Sequence, residues 1–526
     1  MKILSKILPL GGLWGLILSC TSPSIPTNAT HTDKLPDIYP DYTGVTIPAN
    51  LCPTNFMLPD CEEAVARLSF NGLSFTYGDE NKIIIDEEEW QELRSAAAGS
   101  ETGIKVEVYG KKGDKWLSYK SFPIYVAKDT IDPYISYRLI QPSYVAYEDL
   151  AIVQRSLSSF EESDIYNNRM IHTEEKGQCI NCHSFQNYGT NNMLFHMRQF
   201  CGGTMFVHNG QLKKIDLKTD STLSAGVYPA WHPTAALVAF STNTTRQIFH
   251  TADRDKIEVL DYDSDLILYD VEKNEVSHIS NIPDEHECFP TWSPDGKTLY
   301  YTSAHFDSIQ FPRGEKSIPT NYDKLKYNIY SRSFDLTTHK FGEPQLVFDA
   351  VALNKSATLP RLSPDGRYLV FSIGNYGCFH VWHADADICV IKVPQSPRGE
   401  LIYSKNPSKN DIEQRNVTKE LPLGGLEGLN SPFSESYPSF SSNGRWIMTA
   451  SRRDDGSYTR PYIAYFDAQG KCHKAFAVPQ RDPEHNTLLL RSYNRPEFMK
   501  CKVKITPQQF ATKAQEEAVR AKYVNK

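Results

Sequence analysis

Two thiols and an imidazole crowd into five residues, Cys179-Ile-Asn-Cys182-His183. On one helical turn, positions i, i+3 and i+4 share a face. Such a face lets two sulfurs reach the vinyl groups of one porphyrin while the imidazole reaches its iron. This is the attachment spacing of c-type haem, with Cys179 and Cys182 as thioether carriers and His183 as the axial iron ligand. A Cys-x-x-Cys also serves as a redox dithiol or as half of a zinc site. The other cysteines contain no second Cys-x-x-Cys. His196 is the first candidate for a sixth iron ligand and Met193 the alternative, with Met197, His172 and His208 as further rivals. Phe185, Tyr188, Phe195 and Phe200 are placed to pack on a porphyrin or simply in a core.

Covalent haem attachment in bacteria takes place outside the cytoplasm, so the first residues bear on the reading. Residues 1–20 carry Lys2 and Lys6, a short apolar run from Ile7 to Leu18, and then Ser19-Cys20. The run is too short to span a bilayer and reads as a signal peptide. Residues 21–39 contain Pro23 and Pro26 in polar surroundings and read as a flexible tether. The expected location is the cell envelope, facing the periplasm.

The chain has 526 residues, a net charge of −7 and 12% aromatic residues. That balance allows packed cores, and without a basic domain it speaks against a nucleic-acid partner. With Cys20, Cys179 and Cys182 set aside, eight of the 11 cysteines remain. An even number outside the cytoplasm suggests disulfides. Cys52/Cys61 and Cys378/Cys389 are the expected pairs, since each closes a short loop.

The expected fold class is mainly β. Residues 40–130 show strand-length apolar runs and one helix from Asp86, the composition of an immunoglobulin-like or fibronectin-like sandwich. Residues 131–200 are expected to form a short helical haem segment, because Leu150, Ile152, Val153, Leu157 and Phe160 fit an amphipathic helix. Residues 201–505 repeat one pattern four times: Tyr228-Pro-Ala-Trp, Phe289-Pro-Thr-Trp, Leu359-Pro-Arg-Leu and Tyr437-Pro-Ser-Phe, each followed by a turn and an apolar strand. Long-period all-β repeats mark a propeller, here of five or six blades. Asp295 and Asp365 recur as turn residues and need no catalytic role. Residues 506–526 are expected to form a terminal helix with Pro507 in its first turn.

Ile17-Leu18-Ser19-Cys20 resembles a bacterial lipobox, which implies lipidation of Cys20. Ser-Pro-Asp-Gly-Lys at 293–297 resembles the WD40-like repeat of TolB-type propellers. Taken with Tyr137-Arg-Leu-Ile-Gln-Pro142, Cys179–Phe185 and Met193-Leu-Phe-His196, the chain resembles bacterial TolB-like propeller lipoproteins labelled cytochrome c biosynthesis-related. The resemblance implies a membrane-anchored protein with one haem c. The functional expectation is single-haem electron transfer to a protein partner docked on the propeller. The alternative is a binding or scaffold protein whose haem is structural or sensing. No P-loop, His-Glu-x-x-His or Gly-x-Ser-x-Gly element is present, so an enzyme is the lesser expectation.

Overall fold

A computed structural model describes residues 23–141, 147–171, 177–252, 255–306, 317–393 and 428–525. Cys20, His172 and most of the 396–435 insertion lie outside them. Six antiparallel sheets follow one another around a central channel as a six-bladed β-propeller. Blade 1 combines three early strands, Tyr134–Ile140, Ala151–Ser156 and Glu162–Asn167, with the late strand Ser492–Met499 on its inner edge. Pairs such as Ile135↔Phe498 and Leu139↔Tyr493 close the ring from both ends of the chain. Blade 2 runs outward from Gln178–Gln186 through Gly189–Gln199, Gly203–His208 and Gln211–Asp216. Blades 3 to 6 begin with inner strands Val227–Trp231, Glu285–Trp292, Ser356–Leu362 and Glu435–Phe440.

The repeated turn explains why the blades form. Ser293 Oγ donates to Asp295 Oδ1 at 2.6 Å, and the same carboxylate accepts from Lys297 N at 3.1 Å. Ser363 and Asp365 repeat the arrangement, as do Ser441 and Asn443. Gly296, Gly366 and Gly444 take the positive φ that this tight turn requires. The recurring carboxylates are therefore turn-formers.

Two expectations are corrected. The described residues of 131–200 form strands of blades 1 and 2, with two single 3-10 turns at Tyr147–Asp149 and Asn168–Met170 in place of the expected helices, so the propeller begins near residue 134 rather than 201. Ala151–Ser156 is buried along its whole length. Its apolar run, Leu150-Ala-Ile-Val153, is short, and spacing alone cannot tell such a buried run from a helix segment. The terminal helix spans only Pro507–Ala514, started by a capping box between Thr506 and Gln509. The tail then adds short parallel strands to the outer edges of blades 2 and 3, with Ile215↔Val519 and Glu275↔Lys522.

Ahead of the propeller lie a seven-stranded sheet, a two-stranded sheet and the helix Glu87–Ala97, capped by Asp86 and buried along Trp90, Leu93 and Ala97. The segment read as a tether joins this unit from Thr30, which pairs with Leu117. Its core continues into blades 6 and 1 through Trp446, Met448, Ile463 and Tyr493. Trp446 Nε1 donates to Thr130 O at 2.9 Å, and Tyr465 OH to Asp129 Oδ2 at 2.7 Å. No helix among the described residues is long and apolar enough to cross a membrane.

Candidate functional site

Each inner strand carries the same irregularity. Cys182, Tyr228, Phe289, Leu359, Tyr437 and Arg495 all have φ between 49° and 56°. At each of them the ladder skips two residues. In five blades the next residue is proline (229, 290, 360, 438 and 496); in blade 2 it is His183. A bulge whose first residue is left-handed takes the second out of the ladder, so a missing N–H costs nothing there. The Cys-His of the haem-like motif is thus the sixth copy of the blade repeat. The copy continues two residues on with Phe185, where other blades have Trp231, Trp292 and Phe498.

The three motif residues do not line one open space, although Cys179 also packs in the core that Phe185 enters. Cys179 sits one stretch above the bulge, lines a cavity at one mouth of the channel, and accepts a long contact of 3.8 Å from Arg198. Cys182 holds the bulge position whose equivalents in the other blades close the channel. There Tyr228, Phe289, Leu359, Tyr437 and Arg495 leave about 20 Å³, room for a water molecule. His183 is 1% exposed and shares a face with Phe185, its ring centroid 6.0 Å away. That face packs against blade 1, where the ring meets the Ser136 backbone. Burial pushes its pKa down to about 4, which holds the imidazole neutral. Its Nε2 is buried without a hydrogen-bond partner.

His196 does not join His183. Along Gly189–Gln199 the side chains alternate: Met193, Phe195 and Met197 enter the core shared with blade 1, and Leu194 the core shared with blade 3. His196 falls on the Leu194 side, with Nδ1 3.1 Å from Thr204 Oγ1, and burial pushes its pKa down to about 3. In blade 4 the matching position is Thr302, which donates to Ala357 O of the next blade at 2.7 Å. The position is therefore a contact point between blades. Met193 and Met197 share the face of His183. His208 lies on the third strand beside Asn209, 3.2 Å away.

A porphyrin held by both thiols and His183 needs one space open to all three. The structure brings none of them together in this way: the mouth cavity takes in Cys179 alone, and His183 lies in a packed interface between blades. The motif residues, as placed on a bulged strand, do not fit the group. Nor do the described residues contain a cluster of three or more His, Cys, Asp or Glu able to hold a metal ion.

The expected disulfides are also redrawn. Cys52, Cys61, Cys378 and Cys389 stand as free thiols. Cys389 faces the core shared by blades 4 and 5, whereas Cys378 lies with Cys288, Phe289 and Tyr327 in a separate cluster. The Cys378 side chain meets that of Cys288. Cys61 contacts Tyr119 OH at 3.8 Å, and burial pushes the Cys52 thiol up to about 11.

The mouth cavity, about 300 Å³, is what the motif reading missed. Arg138 reaches it from blade 1, Arg198 from blade 2 and Arg246 from blade 3, while Trp382 and Phe379 come from blade 5 and Tyr437 from blade 6. No sequence signal links residues drawn from five blades. The strands Leu237–Phe249 and Ile257–Asp270 run longer than their counterparts and form a hairpin over the mouth. Two contacts tie it to blade 5: Glu258 Oε2 to His383 Nε2 at 2.8 Å, and Ala384 N donating to Asp255 Oδ1 at 2.9 Å. The opposite mouth, about 340 Å³, is lined by Trp231, Trp292, Pro233 and Pro294 of the repeat turns. There Arg361 and Arg495 both pair with Glu497, at 3.2 and 3.1 Å.

No family model and no curated protein matches the chain. Among solved structures it is similar to a prolyl endopeptidase at 11% identity and TM-score 0.32, covering 66% of this chain and 42% of that one. It is also similar to a GH74 enzyme of Niastella koreensis, at 10% and 0.32, covering 76% and 45%. A DUF4784 family protein from Bacteroides caccae matches at 8% and 0.24, covering 69% and 94%. The chain thus spans less than half the length of the first two.

Proposed function

We propose that this is an envelope-anchored binding protein whose ligand enters the arginine-lined mouth of the propeller. The observation that carries the reading is the convergence of Arg138, Arg198 and Arg246 with Trp382, Phe379 and Tyr437 on one cavity. Guanidinium forks hold anions bidentately, and aromatic faces hold rings. In this account Cys20 carries the lipid, the propeller faces the periplasm, and the 40–130 unit is an immunoglobulin-like spacer fused to blades 6 and 1. Anilinonaphthalene sulfonate, an anionic aromatic probe, tests the mouth. It is expected to bind the native protein with one-to-one stoichiometry. The double variant Arg198→Ala/Arg246→Ala is expected to lose that binding. Equal binding by native protein and variant removes the mouth from the account.

The unpartnered Nε2 of His183 favours a second reading, the single-haem electron carrier. Metal-bound imidazoles use their other nitrogen on a backbone carbonyl or carboxylate, and the His183 ring does meet the Ser136 backbone. Haem attachment would require Gln178–Gln186 to leave its ladder with Gly189–Gln199, because on that strand the three residues do not line one open space. A haem stain on denatured protein matured in an exporting host, with Cys179→Ser alongside, decides between the readings.

A further inference from the structure

We infer that the opposite mouth, at the repeat-turn end of the channel, is a second binding site, built for a monocarboxylate on an apolar body: a free chain terminus with an apolar last residue, or a small aryl acid. The site is independent of the arginine-lined mouth. The repeat shows how it arises. Two residues past each bulge the inner strand lines this mouth, and four blades place a small side chain there, Ser184, Ala230, Thr291 and Ser439. Blades 5 and 1 depart from the pattern with Arg361 and Glu497. Blade 1 departs again at the bulge itself, where Arg495 stands in place of the Tyr, Phe, Leu or Cys of the other copies. The small residues leave a space of about 340 Å³, and the departures put charge on its floor.

That floor holds more positive charge than negative. Arg361 Nη2 and Arg495 Nε donate to the same oxygen, Glu497 Oε1, at 3.2 and 3.1 Å. Arg495 Nη2 donates to Pro229 O at 3.3 Å, and its Nη1 is buried with no partner. Arg361 makes no other hydrogen bond among the described residues. Asp132, which also acts on Tyr188, lines neither the mouth nor the constriction beneath it and accepts from Ser442 N at 2.6 Å. Two guanidinium groups on one carboxylate leave one positive charge, which is costly away from bulk water unless an anion joins it. Against burial, the Glu497 charge holds Arg495 above its ordinary pKa, whereas burial and then Arg495 push Arg361 down to about 10. Both stay protonated at neutral pH, and Arg361 is the cation left short.

Size and surroundings select the anion. The floor narrows into the constriction of about 20 Å³ that Arg361, Arg495 and Glu497 also line, room for one oxygen atom and too little for a tetrahedral oxyanion. A planar carboxylate can set one oxygen there against both guanidinium groups. Above the floor, Phe185, Trp231, Trp292, Leu362, Phe440 and Phe498 stand three residues past the six bulges and bring an apolar edge to the mouth from every blade. The body of the acid meets that ring.

The test is titration calorimetry on the full chain with N-acetylated Ala-Ala-Phe, with phenylpropionate, with the amide of each, and with acetate. At least one of the two larger acids is expected to bind about tenfold or more tighter than its amide and than acetate, and to weaken as salt rises. Arg361→Gln is expected to remove the difference between acid and amide, and Arg361→Lys to keep part of it. Glu497→Gln, which takes away the competing carboxylate, is expected to tighten the acid several-fold and leave the amide unchanged, a gain that a merely structural ion pair would not give. Arg198→Ala/Arg246→Ala, in the other mouth, is expected to change neither. Tighter binding of the tripeptide identifies a chain terminus as the natural ligand, and tighter binding of phenylpropionate a small acid. Acid and amide binding alike, acetate binding as well as the larger acids, or no binding by either larger acid overturns the inference. An acid preference that survives Arg361→Gln, or that is lost in Arg198→Ala/Arg246→Ala, overturns the location.

Discussion

Five blades carry proline where blade 2 carries His183, so His183→Pro asks whether the motif histidine is a repeat position or a ligand. Proline in the middle of a strand normally removes a ladder hydrogen bond and is confined to edge strands and bulges. Here the ladder already skips the position, from Asn181↔His196 to Ser184↔Leu194. Four smaller terms remain. Removing a buried, unpartnered Nε2 recovers about 1–3 kcal/mol, and a stiffer unfolded chain adds about 0.4–1. Against these stand the lost contact with Ser136, about 0.5–1.5 kcal/mol, and a small cavity where the larger ring sat. The net change is expected to stay within about 2 kcal/mol of zero. The assay is chemical denaturation at neutral pH, followed by tryptophan fluorescence. A loss of ~3 kcal/mol or more, or a chain that fails to fold, refutes the repeat assignment of His183.

The same variant predicts a pH effect. Burial depresses the folded pKa of His183 to about 4, so below the unfolded value near 6.5 the unfolded chain takes up the proton first. The stability this group contributes is complete above about pH 6.5 and is lost as pH falls towards 4, up to about 3 kcal/mol. Denaturation midpoints of His183→Pro are expected to fall less steeply than those of native protein over that range, and parallel curves contradict the burial argument. Trp446→Ala, which empties a fully buried site joining blade 6 to the N-terminal unit, is expected to cost ~3–5 kcal/mol. It should also speed proteolysis between residues 126 and 134, and unchanged cleavage there would show that the two units are not coupled through this indole. Mild oxidation with diamide is expected to join Cys378 to Cys288, mapped as a linked peptide under non-reducing conditions. A Cys378–Cys389 peptide would contradict the packing of blades 4 and 5.

Blades 3 to 6 were legible because proline, glycine and aromatic residues recur at fixed offsets, and a tight turn admits few residue types. Blade 2 hid because its turn is Asn187-Tyr188 with both φ positive, a different route to the same hairpin, and because two thiols drew the eye to metal chemistry. Its repeat was nevertheless present in Cys182-His-Ser-Phe185, as was that of blade 1 in Arg495-Pro-Glu-Phe498. Blade 1 is assembled from strands more than 300 residues apart, such as Tyr137 and Tyr493, whose rings meet edge-on at 4.8 Å. Local spacing carries no trace of such a partner. The helix Glu87–Ala97 was readable from its cap and apolar spacing, both local properties. The mouth was not, since a cavity built from five blades exists only after the ring has closed.

The decisive measurement is the intact mass and visible spectrum of the protein matured in a host that exports it and attaches haem. If Cys179, Cys182 and His183 sit on the bulged inner strand of blade 2 as described, the mass carries no added iron-porphyrin and the spectrum no Soret band. A covalently added iron-porphyrin that disappears in both Cys179→Ser and Cys182→Ser would contradict the account, and would mean that the inner strand of blade 2 opens to take it.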